Sequence, residues 1–148
     1  MKDKTKILMK EVEEFERISP IKSFKDLEVY QVSYRAMLIV FNEILEALPK
    51  SEVFDLKSQV GRSSKAIPRL LAEGFAKRHQ KKGFQKYLFD AIAESNETEV
   101  SITQCLDLYT YRVDQELCKW LINVYDRISK QTYVLKKNWE NYNNTDNV

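Results

Sequence analysis

Leu27, Tyr30, Tyr34, Met37, Phe41, Ile44 and Leu48 recur at alternating spacings of three and four residues. That period places them on one side of a helix and predicts a first long helix over residues 25–48. Leu38 and Leu45 widen the stripe. Ser23 followed by Asp26 resembles a capping box at its start, and Pro49 forbids its continuation. A second stripe, Val53, Leu56, Val60, Ile67, Leu70, Leu71 and Gly74, predicts a helix over 52–76. Pro68 falls inside it, where the missing amide hydrogen and the crowded carbonyl of Ser64 cost about 3 kcal/mol. The apolar period continues on both sides, so one bent helix is expected rather than two. A third stripe, Leu88, Ala91, Ser95, Thr98, Ile102, Cys105 and Tyr109, predicts a helix over 82–111. Its small middle residues let a neighbouring helix come close. A fourth, Leu117, Trp120, Leu121, Val124, Ile128 and Leu135, begins near Asp114, an N-cap residue, with Glu116 favourable in the first turn.

Four amphipathic segments joined by short connections predict an all-α fold, an antiparallel up-down-up-down four-helix bundle over residues 23–140. Residues 1–22 read as an N-terminal extension with a short helix. There Leu8, Val12 and Phe15 share a face and Pro20 ends the helix. The polar tail 141–148, NYNNTDNV, is expected to fray. Ile39 and Val40, with Phe84, Tyr87 and Phe89, exceed what one seam needs. They fit either an oligomer interface or a thicker core that includes the N-terminal segment.

Composition narrows the class. In 148 residues there are three Gly and three Pro, too few turn-formers for a many-stranded sandwich or barrel. No apolar run is long enough to span a membrane, and the N-terminus has no signal-peptide pattern. The expected compartment is the cytoplasm, where Cys105 and Cys118 stay reduced. Net charge is only +2. It is unevenly spread: residues 57–86 hold nine Lys or Arg against one acid, Glu73. A near-neutral chain thus carries a basic patch.

The pieces FKDLEVYQ (24–31), QVGRSSKAIPRLLAEGFAKR (59–78) and FQKYLFDAIAESNETE (84–99) come in a telling order. They resemble the small bacterial proteins encoded in intervening sequences of 23S rRNA genes, and their free-standing relatives. That pattern has F-x-D-L-x-V-W/Y first, then an R-x-x-x-S-I-x-x-N-I-A-E-G element and an F-x-x-x-L-x-x-A segment. The resemblance covers residues 24–130, and its AEG element is the more specific part. Leu70 stands where the family usually has Asn, Ala66 where it has Ser, and Ala93-Glu94-Ser95 blurs its Gly-Ser step. The resemblance implies a four-helix bundle assembled as a ring-like homopentamer, with no established enzyme activity. Distant relatives are basic accessory proteins of diversity-generating retroelements that bind a reverse transcriptase and nucleic acid.

The candidate contact residues are Arg62, Lys65, Arg69, Lys77, Arg78, Lys81, Lys82 and Lys86. They read either as a phosphate-contact surface for RNA or DNA or as a solvated helix face and loop. With no aromatic platform interleaved among them, sequence-independent phosphate contact is the expected form. Pro68, Glu73 and Gly74 read as structural or oligomer-forming. Pro68 is the bend and Gly74 a close approach. Glu73 pairs with Arg69 or Lys77, or organises an assembly or a partner's arginine. His79, the single histidine, excludes a multi-histidine metal site within one chain and reads as solvated. Cys105 and Cys118 lack CxxC partners, and Glu94, Glu97 and Glu99 lack the Glu-x-x-His that a di-metal bundle uses. The tyrosines read as core rings with hydroxyls at the rim. No Walker A, GxGxxG or GxSxG pattern occurs, so no cofactor is implied. The expected protein is non-enzymatic and oligomeric and binds nucleic acid or a ribonucleoprotein. The alternatives are a protein–protein adaptor or structural oligomer, and a small-ligand-binding bundle.

Overall fold

A computed structural model of the protein describes the backbone of residues 1–146 and the side chains of residues 1–139. Among the described residues every regular element is helical and there is no strand. In chain order these are α1 (Asp3–Glu13), α2 (Glu28–Ile39), α3 (Leu45–Ala47), α4 (Leu56–Ala76), α5 (Lys81–Leu108) and α6 (Gln115–Asp146). A π-helical turn, Val40–Ile44, joins α2 to α3, so the two form one rod. α6 continues to Asp146, so its backbone takes in residues 141–146 of the tail expected to fray, while residues 147–148 lie outside the described residues. No described helix is long and apolar enough to cross a membrane.

α4 packs along α5, α5 along α6, and α2 against α4 and more lightly against α6. Side-chain pairs show neighbours running in opposite directions. On α4 and α5, Thr98 Oγ1 donates to Ser63 Oγ at 2.8 Å, while Gly74 faces Phe84 and Tyr87. On α5 and α6, Ser95 Oγ donates to the Tyr125 carbonyl at 2.8 Å, while Phe84 meets Trp139 at 5.4 Å between ring centroids. The result is a helical bundle with α1 laid over it.

Most positions of the stripes predicted for α4, α5 and α6 form the core, although Val53 lies before α4 and is 40% exposed. Leu56, Val60, Ile67, Leu71, Leu88, Ala91, Ile102, Cys105, Leu117, Leu121, Val124 and Ile128 are all buried. α4 runs through Pro68 without interruption. Burying Ile67 and Leu71 on either side contributes roughly 1.5–3 kcal/mol each, which offsets the proline's penalty. α4 starts at Leu56, later than the periodicity predicts: a 3-10 turn, Lys50–Glu52, comes first, and the N-cap residue Asp55 makes no side-chain cap bond, but Glu52 reaches forward to the first turn. One of its carboxylate oxygens accepts the Leu56 amide at 3.1 Å. Asp114 caps α6 as predicted, accepting the Leu117 amide at 3.0 Å.

The first helix differs from its predicted face. Val29, Val32, Ala36, Ile39 and Val40 are buried, whereas Tyr34 and Phe41 are 42% and 37% exposed. The π turn is the cause. The Leu45 amide bonds the Val40 carbonyl, five residues back, and the extra residue turns the chain by about 100°. Ile44, Leu45 and Leu48 do face the core. A three-four count carried backward from Ile44 ignores the inserted residue and lands on Phe41, Met37, Tyr34 and Tyr30. Ile39 and Val40 are therefore core rather than surplus. Ser23 and Asp26 do make reciprocal bonds, but around a short 3-10 turn, Phe24–Asp26, just before α2.

α1 ends at Glu13, well before Pro20. Glu11, Glu13, Glu14 and Glu16 crowd its negative end, which the helix dipole disfavours. Val12 is buried and Leu8 half-buried, while Phe15 lies beyond the helix. α1 is held to α2 by Arg35 Nε to Glu11 at 2.6 Å and to α6 by Trp120 Nε1 to Glu13 at 2.7 Å.

Candidate nucleic-acid interface

The basic residues of the patch do not share one environment. Arg62, on the outer face of α4, is tied to α5. Its guanidinium donates to Glu94 at 3.1 Å and to Glu97 through its other terminal nitrogen. The bond from Arg62 holds Glu97 below the ordinary carboxylate range, whereas burial pushes Glu94 upward despite the same arginine. The charge of Arg62 is thus already met by two acids. Lys65, also exposed, leans the other way, its ammonium 5.7 Å from the centroid of Phe41 on the π turn. Arg69 is exposed on the same face of α4, seven residues from Arg62. Glu73 is exposed too, and the ion pairs among the described residues do not include it.

The second part of the patch lies where α4 turns into α5. Arg78 does local structural work there. Its guanidinium stacks 4.3 Å from the Phe75 centroid and donates to the Phe75 carbonyl at 3.0 Å, near the negative end of α4. Lys81 and Lys82 are exposed and open α5, whose first turn holds no acid and whose N-cap, Gln80, makes no side-chain cap bond. Lysines at a helix N-terminus oppose the helix dipole. His79, between the two helices, is exposed.

Two structural residues keep this turn closed. Gly74 lets α5 approach so near that a Cβ built there would stand 2.8 Å from Tyr87 Cβ. Trp139, near the far end of α6, donates from Nε1 to the Arg78 carbonyl at 3.1 Å and packs edge-on against Phe75. The up-down course of α5 and α6 brings the two ends together, a relation invisible to the local stripe that ends at Leu135.

Aromatic rings also lie among the bases here, contrary to the expectation of a bare basic surface. Lys77 and Lys86 stand 5.5 and 5.8 Å from the Tyr87 centroid. Around α5, Lys136 of α6 stands 4.5 Å from the Phe89 centroid and 5.7 Å from that of Tyr133. Lys86 and Phe89 sit three apart on α5, and Tyr133 and Lys136 three apart on α6, spacings that share a helix face. Those spacings are visible in the sequence; that the two pairs meet is a tertiary fact.

The acids of α5 do not converge. Glu94 and Glu97 face Arg62 on α4, while Glu99 lies by Asp126 and Lys130 of α6. Cys105 and Cys118 are buried free thiols, pushed up by burial to about 12 and about 11. A groove of about 640 Å³ runs between the segment after α1 and the C-terminal part of α6, walled by Ile18, Ile21, Leu27, Val134 and Leu135.

The family model described as 23S rRNA-intervening sequence protein matches residues 25–134 of the chain. No curated protein matches it.

Proposed function

The chain belongs to the 23S rRNA-intervening sequence protein family, and from that premise we propose that it is a non-enzymatic, oligomeric accessory protein that binds nucleic acid or a ribonucleoprotein through its basic turn end. The observation that carries this reading is the start of α5. Lys81 and Lys82 stand exposed at the positive end of a helix that has neither an acid in its first turn nor a side-chain cap. Among the described residues neither source of positive potential there has an acid paired with it, and a phosphate group relieves both. Lys77, Lys86 and Arg69 extend the same field along α4 and α5. Arg62 and Arg78 contribute less, since one is occupied by Glu94 and Glu97 and the other by the end of α4.

Self-association belongs to the same reading. Tyr34 and Phe41 leave a part-exposed apolar strip on the outer face of α2 and the π turn. A ring of five copies would cover such strips and present several basic ends to one polymer, raising weak single-site affinity through avidity. The setting we propose is the cytoplasm, with both thiols reduced. The α2 strip also supports a second reading, a protein–protein adaptor that binds no nucleic acid.

Retention on a nucleic-acid column at low and high salt tests the choice. Bound phosphates release counterions, so retention should fall steeply as salt rises. Charge reversal of Arg69, Lys77, Lys81, Lys82 and Lys86 together should abolish it. Unchanged retention in that variant defeats the phosphate-contact reading and leaves the adaptor.

A further inference from the structure

The rings at the basic end point to a narrower ligand. Phe89 and Tyr133 are 49% and 47% exposed, so each ring presents about half of its surface to solvent. They come from different helices, yet one ammonium, that of Lys136, reaches both. On the α4 side Tyr87 lies between Lys77 and Lys86. Lysine and aromatic ring thus alternate across the end of the bundle, from α4 over α5 to α6. Ammonium groups suit phosphates, and flat apolar rings suit the faces of unpaired bases. A duplex offers its phosphates but keeps its base faces stacked inside, so it engages only half of such a surface. A stacked base is held more strongly on an exposed ring than an ammonium is, so a base can take the ring face beside the neighbouring lysines.

We propose that the belt of Lys77, Tyr87, Lys86, Phe89, Lys136 and Tyr133 binds single-stranded nucleic acid, with bases stacked on Phe89 and Tyr133 and phosphates met by the lysines. This rests on the reading of the basic end as a nucleic-acid surface and adds what that reading lacks, a preference for unpaired strands. The belt holds no array of donors aimed at base edges, so recognition by stacking tolerates any sequence.

The test is fluorescence anisotropy with the full-length protein and three labelled probes of equal length: an oligothymidylate, an oligouridylate and a mixed-sequence duplex. Both single strands should bind more tightly than the duplex; whichever of the two is preferred identifies DNA or RNA as the source. Phe89→Ala and Tyr133→Ala should each weaken single-strand binding about 10-fold. They should leave duplex binding and the salt slope unchanged, because no phosphate contact is lost. Lys77→Gln with Lys86→Gln should instead lower the salt slope for every probe. Phe89→Trp should restore binding, which separates a stacking role from a folding defect. If the lysine variants weaken binding while the ring variants do not, or if duplex binds as well as single strands, the stacking inference fails and the basic-surface reading survives. If the wild-type protein binds none of the probes, both fail.

Discussion

Gly74 of α4 lies directly against the Cβ of Tyr87 on α5: a Cβ added at Gly74 would lie 2.8 Å from Tyr87 Cβ. That atom is fixed to its own helix and cannot swing away, so Gly74→Ala must push α4 and α5 apart. Overpacking of this kind costs typically 1–3 kcal/mol and outweighs the roughly 1 kcal/mol by which Ala exceeds Gly in helix propensity. Gly61 is the contrasting case. Its added Cβ would meet Phe41 Cζ at 3.4 Å and Leu45 Cδ1 at 3.6 Å, both far ends of side chains. Gly61→Ala should therefore raise the melting temperature by about 2–3 °C while Gly74→Ala lowers it by a similar amount. Thermal unfolding followed by circular dichroism checks both, and equal shifts would show that the α4–α5 spacing is not constrained at Gly74.

Tyr125 is fully buried in α6, and its hydroxyl has no hydrogen-bond partner among the described residues. Burial alone pushes its ionisation far above the ordinary tyrosine range. An unsatisfied buried hydroxyl costs about 1–3 kcal/mol. Tyr125→Phe keeps the ring, removes that penalty and leaves the backbone carbonyl that accepts Ser95 Oγ. The variant should be about 1 kcal/mol more stable in urea unfolding. A variant less stable than wild type would show that the hydroxyl is satisfied in solution.

How much of this architecture the sequence carries depends on whether a helix is regular. α4, α5 and α6 keep one period from end to end, and Ile67, Leu88, Leu121 and Val124 are buried where that period puts them. α2 and α3 are joined through an inserted residue, and the alternating three-four count that runs back from Ile44 leads to Phe41, Met37 and Tyr34 rather than to Val40, Ala36 and Val32, which the π turn brings inward. The candidate site divides along a similar line. Clustered charge is a local property, legible as nine bases against one acid over residues 57–86. The neutralisation of Arg62 by Glu94 and Glu97, and the approach of Lys136 to Phe89, join residues more than 30 positions apart. They follow only from the antiparallel packing of α4, α5 and α6.

The same π turn makes a prediction about assembly. Because the inserted residue turns Tyr34 and Phe41 outward, replacing both with Gln removes little core burial. Each ring is part-exposed, so each change should cost about 1–2 kcal/mol in the isolated subunit, less than a fully buried ring would. If the strip is the self-association face proposed above, light scattering should show the double variant at lower mass than wild type at equal concentration. Unchanged mass, with wild type larger than a monomer, would move the interface elsewhere. A monomeric wild type at micromolar concentration would sink the ring.

Tyr109, at the end of α5, donates its hydroxyl to the carboxylate of Glu52, before α4. This bond holds Glu52 below its ordinary value of 4.5. The same bond, with burial behind it, raises Tyr109 above 10.0. The two shifts define a pH window. The contribution of Glu52 is present above pH 4.5 and is lost as pH falls through its lower folded value. That of Tyr109 is present below pH 10.0 and is lost as pH rises through its higher folded value. Tyr109→Phe removes the bond but leaves Glu52 capping the Leu56 amide. Wild type should therefore melt above the variant by a constant margin between these limits, and the margin should close at both extremes. Melting curves of the two proteins across the pH range provide the check. A margin that stays the same well below pH 4.5 would mean that the Tyr109 hydroxyl stabilises the fold without help from the charge of Glu52.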